Sequence, residues 1–308
     1  FRDFNIVPTY LVTFPVVSDD GAVAILRHAY DAGQCEIGMH CHPWTTPPFE
    51  ESITRYNSML CNLDPLLQRR KLHRLHEAIV TRLRTRPIAY RAGRWGYGRE
   101  TAQILQELGC RIDSSVTPYT SWVRSYGPDY SCLTPEPYRF AAEQIFSPNP
   151  SGDLIEIPAT IGYVRGNFDS CAELSHRLVT SPFHRWRLTS LLARLGIVRK
   201  VWLSPEQETI ARLIRLVKQM QWHGYTVLNL VSHSSSLLAG CNPFVRTAGQ
   251  QQTFLLRLRQ LLEFCRRSDI AFERLSSLEA RLMIGHGTAV PRQPTHSYSN
   301  PVIQADQP

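Results

Sequence analysis

The chain has 308 residues, 43% of them apolar and 19% charged, with a formal charge of +8 and a pI near 9.2. That length admits one large domain or two modest ones, and the composition excludes a disordered chain, which would have too little apolar surface to bury. The positive balance leaves an anionic partner open. A nucleic-acid groove is not expected: no Lys/Arg block is interleaved with aromatics, and the bases of the densest run, "QRRKLHRLHE", fall all round a helix.

No apolar stretch approaches the ~18 residues of a membrane span. The eight cysteines show no CxxC spacing. In a chain this long they read as free thiols of a reducing compartment, so a cytoplasmic location is expected. The first residues, "FRDFNIVPTYLV", carry no signal-peptide pattern and read as a start inside a fold.

In chain order, "PTYLVTFPVV" (8–17) reads as a buried strand. "DDGAVAILRHAYDAG" follows as a helix, with Val23, Leu26, Ala29 and Tyr30 on one stripe, Asp19 and Asp20 at its start and Gly33 at its end. "CEIGMHC" is the next strand, then a proline-rich loop, "HPWTTPPFEE". Helices are expected at about 50–60 and 64–85, the second repeating Leu67, Leu75, Ala78 and Ile79 at helical spacing. "PIAYR" is a strand and "RETAQILQELGC" a helix stopped by Gly109. "RIDSS" opens a short strand, and 120–150 is an extended loop. "DLIEIPATIGYV" is strand-like. Helices are expected at 172–196, 205–223 and 248–267, and strands at "YTVLNLVSH" and "IAFERL". The last ~25 residues have no periodicity and read as a disordered tail.

Strands alternating with helices imply parallel strands with helical crossovers, as a barrel or an open doubly wound sheet. No glycine-rich phosphate loop follows a strand, so nucleotide binding has no support. Polar clusters fall where strands end, the place at which such folds gather functional side chains.

His40 and His42 are the first cluster. Alternate strand residues point the same way, so the pair can aim two imidazoles at one ion. A catalytic zinc would need a third protein ligand, most naturally a carboxylate, and an open position for water. Two partly exposed loop histidines are the bland alternative. In "AYRAGRWGYG", Arg91 ends a strand and can brace a carboxylate, while Trp95 and Tyr97 can floor a sugar groove; a glycine-rich turn explains the stretch equally. Asp113 in "RIDSSVTPY" can orient a histidine or bind an ion, or serve only as a turn residue. His233 ends "TVLNLVSH", a position suited to general acid work. A Ser234–His233–Asp113 triad lacks the G-x-S-x-G elbow. His28, His73, His76, His176, His184, His223, His286 and His296 read as structural or solvated.

Taken in order, these stretches resemble the polysaccharide deacetylases, the NodB-homology group of carbohydrate esterases. "EIGMHCHPW" resembles the metal-binding histidine motif in its HxHPW form, "YRAGRWG" the arginine motif, "IDSSVTP" the aspartate motif and "LNLVSHSSSL" the Leu-x-x-His motif. The resemblance covers about residues 1–282. It implies a distorted (β/α)7 barrel over 1–283, with 284–308 as tail. It also implies a divalent metal, zinc in the first instance, on His40 and His42, and removal of an acetyl group from an N-acetylated glycan. Arg91 would hold a catalytic carboxylate, His233 would protonate the leaving amine and Asp113 would tune it; Trp44, Trp95, Tyr97 and also Trp122 are candidates for the sugar cleft. The family's first motif, two acidic residues on the first strand, has no counterpart here. The chain therefore reads as lacking that strand and as inactive by itself. Hydrolysis of another C–N bond in a small amide, and sugar binding without catalysis, are the alternatives.

Overall fold

The computed structural model of the chain describes residues 1–180 and 199–284. The strands are β1 (Thr9–Val12), β2 (Glu36–Cys41), β3 (Ala89–Ala92), β4 (Ile112–Asp113), β5 (Thr120–Ser121), β6 (Asp129–Tyr130), β7 (Tyr138–Phe140), β8 (Leu154–Glu156), β9 (Ile161–Tyr163) and β10 (Lys200–Trp202). The helices are α1 (Phe14–Ser18), α2 (Asp20–Asp31), α3 (Pro65–Leu83), α4 (Arg99–Glu107), α5 (Phe168–Thr180), α6 (Ile210–Trp222), α7 (Ala248–Arg267) and α8 (Leu275–Ile284).

The fold is mixed α/β. Six strands form one sheet in the order β1-β2-β3-β4-β8-β7. The first five run parallel and β7 is antiparallel at the edge. β9 pairs antiparallel with β10, and β5 with β6. Among the described residues the six-stranded ladder is open; the expected closed barrel is not formed by strand pairing. "YTVLNLVSH" is extended rather than a strand. It is tied to its neighbours by single bonds, Thr160 N to Asn229 O at 3.2 Å and Val231 N to Leu203 O at 3.2 Å.

Local chemistry explains most element ends. Asp19 caps α2, its side chain accepting from Ala22 N at 2.7 Å, the reading expected for an acidic residue at a helix start. Asp64 caps α3 with Pro65 in its first turn, where the missing N–H costs nothing. Thr247 and Gln250 form a capping box on α7. In α6, Leu213, Leu216, Val217 and Met220 are fully buried at helical spacing and pack on Tyr163, Val201 and Leu203. β2 is buried on both faces, as a central parallel strand must be. Gly38 permits that crowding, since a Cβ there would lie 2.6 Å from Ala89 O and from a Leu11 methyl.

Several expected elements differ. The strand at 8–17 stops at Val12, because Pro15 enters the first turn of α1 and starts a helix instead. Residues 50–60 form turns, not a helix. "DLIEIPATIGYV" divides at Pro158 into β8 and β9, which join different sheets. Residues 120–150 contain β5, β6 and β7. "IAFERL" forms no strand; its last residue begins α8. Helix 172–196 starts earlier, as α5, and its part at 181–196 lies outside the described residues, as do His184 and the tail at 285–308.

Candidate active site at the ends of the parallel strands

β2, β3, β4 and β8 end side by side, so residues just past them share one rim of the sheet. Register decides which face each side chain takes. His40 pairs with Arg91 across β2 and β3. Tyr90 pairs with Asp113, and Asp113 with Glu156. Strand side chains alternate faces, so His40 and Arg91 share one face while Tyr90, Asp113 and Glu156 share the other. His42, two residues past His40, returns to the face of His40.

The two imidazoles meet edge to face with ring centroids 4.5 Å apart. His40 Nδ1 donates to Arg91 O at 2.8 Å, which fixes the tautomer and leaves Nε2 its lone pair, as a second-shell carbonyl does for a metal-ligating histidine. Among the described residues, the buried His42 Nδ1 has no hydrogen-bond partner. Gly93 lies against it, and a Cβ there would come within 2.3 Å of that nitrogen. Burial, and then His42 itself, push the His40 pKa down to about 3. Burial, followed by the charge of His233 and of Arg94, pushes His42 down to about 4. Both rings are therefore neutral at pH 7, the state in which imidazole binds a metal. Cys41 between them takes the opposite face and bonds Thr46 Oγ1; burial raises its thiol to about 12, so it is no thiolate. The histidine pair fits two positions of a divalent-cation shell. Among the described residues no third His, Cys, Asp or Glu joins them to make a metal-holding group.

Among the described residues Arg91 donates to Ser114 and to no carboxylate. Its Nε donates to Ser114 O and an Nη to Ser114 Oγ, each at 2.7 Å. Burial lowers its pKa to about 10, still charged at neutral pH. Its guanidinium lies 5.4 Å from the centre of the Trp95 ring, which in turn is 5.6 Å from Trp202. Arg94 and Trp95 adopt the left-handed region at φ 55° and 65°. Each costs about 1–3 kcal/mol, a strain typical of residues held for function, and the kink brings the indole to Arg91.

Asp113 follows the second of its two readings, a residue that accepts local hydrogen bonds, and not that of a partner for His233. Its carboxylate accepts from Ser115 Oγ at 2.7 Å and Ser115 N at 3.2 Å. It lies beside Glu156, whose other oxygen accepts from Val116 N at 3.0 Å. Burial raises the pKa of Asp113. Burial, and then Asp113 itself, raise Glu156 well above the ordinary range. Two carboxyls side by side on paired strands disfavour double ionisation, and among the described residues Glu156 Oε2 has no hydrogen-bond partner.

His233 comes to the rim on the extended segment after Tyr225. Asn229 anchors that segment, its side-chain amide donating to Ser114 Oγ at 2.9 Å and Ile157 O at 3.0 Å. Ser114 Oγ also accepts from Arg91, whose carbonyl receives His40 Nδ1, so the segment that ends in His233 is bonded to the same rim as the histidine pair. The carboxylate that meets His233 is Glu206, 3.1 Å from Nδ1.

Trp44 is half exposed and tilts over His42 with centroids 4.4 Å apart. With Phe49, Glu51 and Ile53 it lines a shallow recess of about 290 Å³. Tyr97 is not at the cleft. It is 2% exposed and packs on Tyr90 and Phe140, because β3 and its turn lead the chain back beneath the sheet. Trp122 donates its indole N–H to Thr117 Oγ1 at 2.8 Å. Glu156, Glu206 and Asn229 went unseen in the sequence. "SPEQE" has no distinguishing pattern, and the partners of Glu206 lie 27 and 30 residues away.

No family model and no curated protein matches the chain. A crystal structure from Mycobacterium smegmatis, provisionally named a polysaccharide deacetylase, is similar at 18% identity with a TM-score of 0.40, over 89% of this chain and 77% of that one. No helix among the described residues is long and apolar enough to cross a membrane.

Proposed function

We propose that the chain carries the histidine part of a hydrolase site of the polysaccharide-deacetylase type, which removes an N-acetyl group from a sugar once a third metal ligand and a base complete it. The observation that supports this reading is the edge-to-face His40–His42 pair at the end of β2, beside Arg91, whose partner Ser114 also anchors the segment that leads to His233. His40 and His42 would hold a divalent cation, zinc in the first instance. When bound, it would supply Lewis-acid polarisation of the amide carbonyl and a more acidic water. His233 carries the proton that the leaving amine needs; without it an amide anion would have to depart, and one general acid contributes about 10²- to 10⁴-fold. Arg91 adds fixed positive charge on the same face. Trp44, exposed beside His42, offers a flat apolar surface to a sugar ring; Trp95 extends it toward Trp202. The succession of parallel strands, with the 225–233 segment beyond β8, suits the distorted barrel of that family.

The test is zinc titration by calorimetry, with acetate release from N-acetylglucosamine oligomers measured in parallel. Zinc binding lost in His40→Ala, with acetate release dependent on zinc, supports the reading. Release of ammonia or formate from small amides, with chito-oligomers untouched, would move the substrate to another C–N bond. Oligomer binding without zinc binding or turnover favours a sugar-binding protein, a reading supported by the lack of a third metal ligand among the described residues.

A further inference from the structure

His233 has a partner that its strand register does not provide. Asp113 lies on the opposite face of β4 from His40 and Arg91, and its oxygens are taken by Ser115 and Glu156. Glu206 instead approaches from the loop after β10. Its Oε1 accepts from His233 N at 2.8 Å, and its two oxygens lie 3.2 and 3.1 Å from His233 Nδ1. Ser236 Oγ donates to the same Oε1, and Ser204 Oγ lies 3.4 Å from Oε2. Asn242 in turn donates to Ser236 Oγ at 2.5 Å. The Glu206 side chain is 3% exposed, whereas that of His233 is 62% exposed. One end of the imidazole is thus gripped inside the protein and the other faces solvent at the rim.

We infer that Glu206 is the positioning carboxylate of His233: it keeps the proton on Nδ1 and presents Nε2 as the atom that exchanges protons with substrate. This rests on the proposed hydrolase function for its catalytic consequence, but not for the geometry. A carboxylate is an acceptor only, so a hydrogen bond from the ring to Glu206 requires hydrogen on Nδ1. Burial by itself would raise the Glu206 carboxyl. The hydrogen bonds from His233 and Ser236 outweigh it and bring the group below its ordinary value. It therefore stays ionised at neutral pH and favours the imidazolium that forms when Nε2 takes up a proton. Proton balance is closed: Nε2–H of the imidazolium is given to the leaving nitrogen as the C–N bond breaks, and the neutral ring regains a proton from the hydrolytic water.

The experiment reads the tautomer directly. Two-bond ¹⁵N–¹H spectra of the chain at pH 8, with His233 assigned from the resonance lost in His233→Gln, give the protonation of each ring nitrogen. Expected is a pyrrole-type Nδ1 and a pyridine-type Nε2. Glu206→Leu should reverse them toward the Nε2–H form favoured by free imidazole, and Asp113→Asn should leave them unchanged. Should Glu206→Leu fail to fold, Glu206→Gln with Ser236→Ala serves, the amide being free to turn its NH₂ toward Nδ1. An unaltered tautomer in the Glu206 variants, or the same reversal in Asp113→Asn, would overturn the assignment. On acetate release, Glu206→Gln should lower kcat about 10-fold or more with KM little changed, and Glu206→Asp should recover part of it. If wild type releases no acetate while the tautomer responds as stated, the hydrolase reading fails and the dyad stands.

Discussion

Replacing Lys71 by Met should be the most damaging single change near the site. Lys71 on α3 is fully buried, and its ammonium donates to Pro43 O, Thr46 O and Pro48 O at 3.1, 2.8 and 2.5 Å. Those bonds use all three hydrogens. Glu51 Oε1, 2.9 Å away and with its side chain 8% exposed, is therefore a Coulombic partner more than an aligned acceptor. Methionine fills the same space but leaves one buried carboxylate uncompensated and three carbonyls without a donor. Removing one member of a buried pair costs about 3–5 kcal/mol. At roughly 2–4 °C per kcal/mol for a chain of this size, the midpoint should fall by roughly 6–20 °C. Thermal unfolding followed by circular dichroism reads it. Lys71→Met with Glu51→Gln should recover at least about 1 kcal/mol, because the stranded charge is gone. A single variant that melts within 2 °C of wild type would refute the reasoning, since the ammonium would then not be what pins the loop after His42.

Gly93→Ala should displace His42, because its Cβ would fall 2.3 Å from Nδ1 and 2.5 Å from Cys41 O; overpacking of this kind costs about 1–3 kcal/mol, and zinc affinity by calorimetry should fall with it. Glu156→Gln should flatten the pH dependence of stability. The raised carboxyl contributes fully below its unfolded value of 4.5 and loses that contribution as pH rises toward its native value; urea unfolding from pH 5 to 8 should show a smaller decline in the variant, and an equal decline would mean that the pair is not protonated. Tyr97→Ala should cost about 3–5 kcal/mol as a large core truncation, while Trp44→Ala should leave the melting midpoint near wild type and weaken chito-oligomer binding; a reversal of the two would exchange their places in the fold.

The sequence by itself determined the alternation of β1 to β4 with α2, α3 and α4 and the candidate residues of the rim, because both are written locally. An apolar run marked β2, and helical spacing marked α2 and α3. A His-x-His pair on a strand shares a face, and Asp19 sits where a helix start belongs. It did not determine which carboxylate serves which base. The resemblance implied that Asp113 serves His233, yet the register of β3, β4 and β8 turns Asp113 to the far face, against Glu156. Glu206 reaches His233 because β10 pairs with β9 and the 225–233 segment bonds back onto Thr160 and Leu203 at one end of that pair. Tyr97 likewise carried a sugar-binding look and was taken into the core by the turn after β3. Faces and partners across tens of residues follow from strand register and loop path. These depend on how the whole chain buries its apolar surface, and so only the tertiary structure decided them.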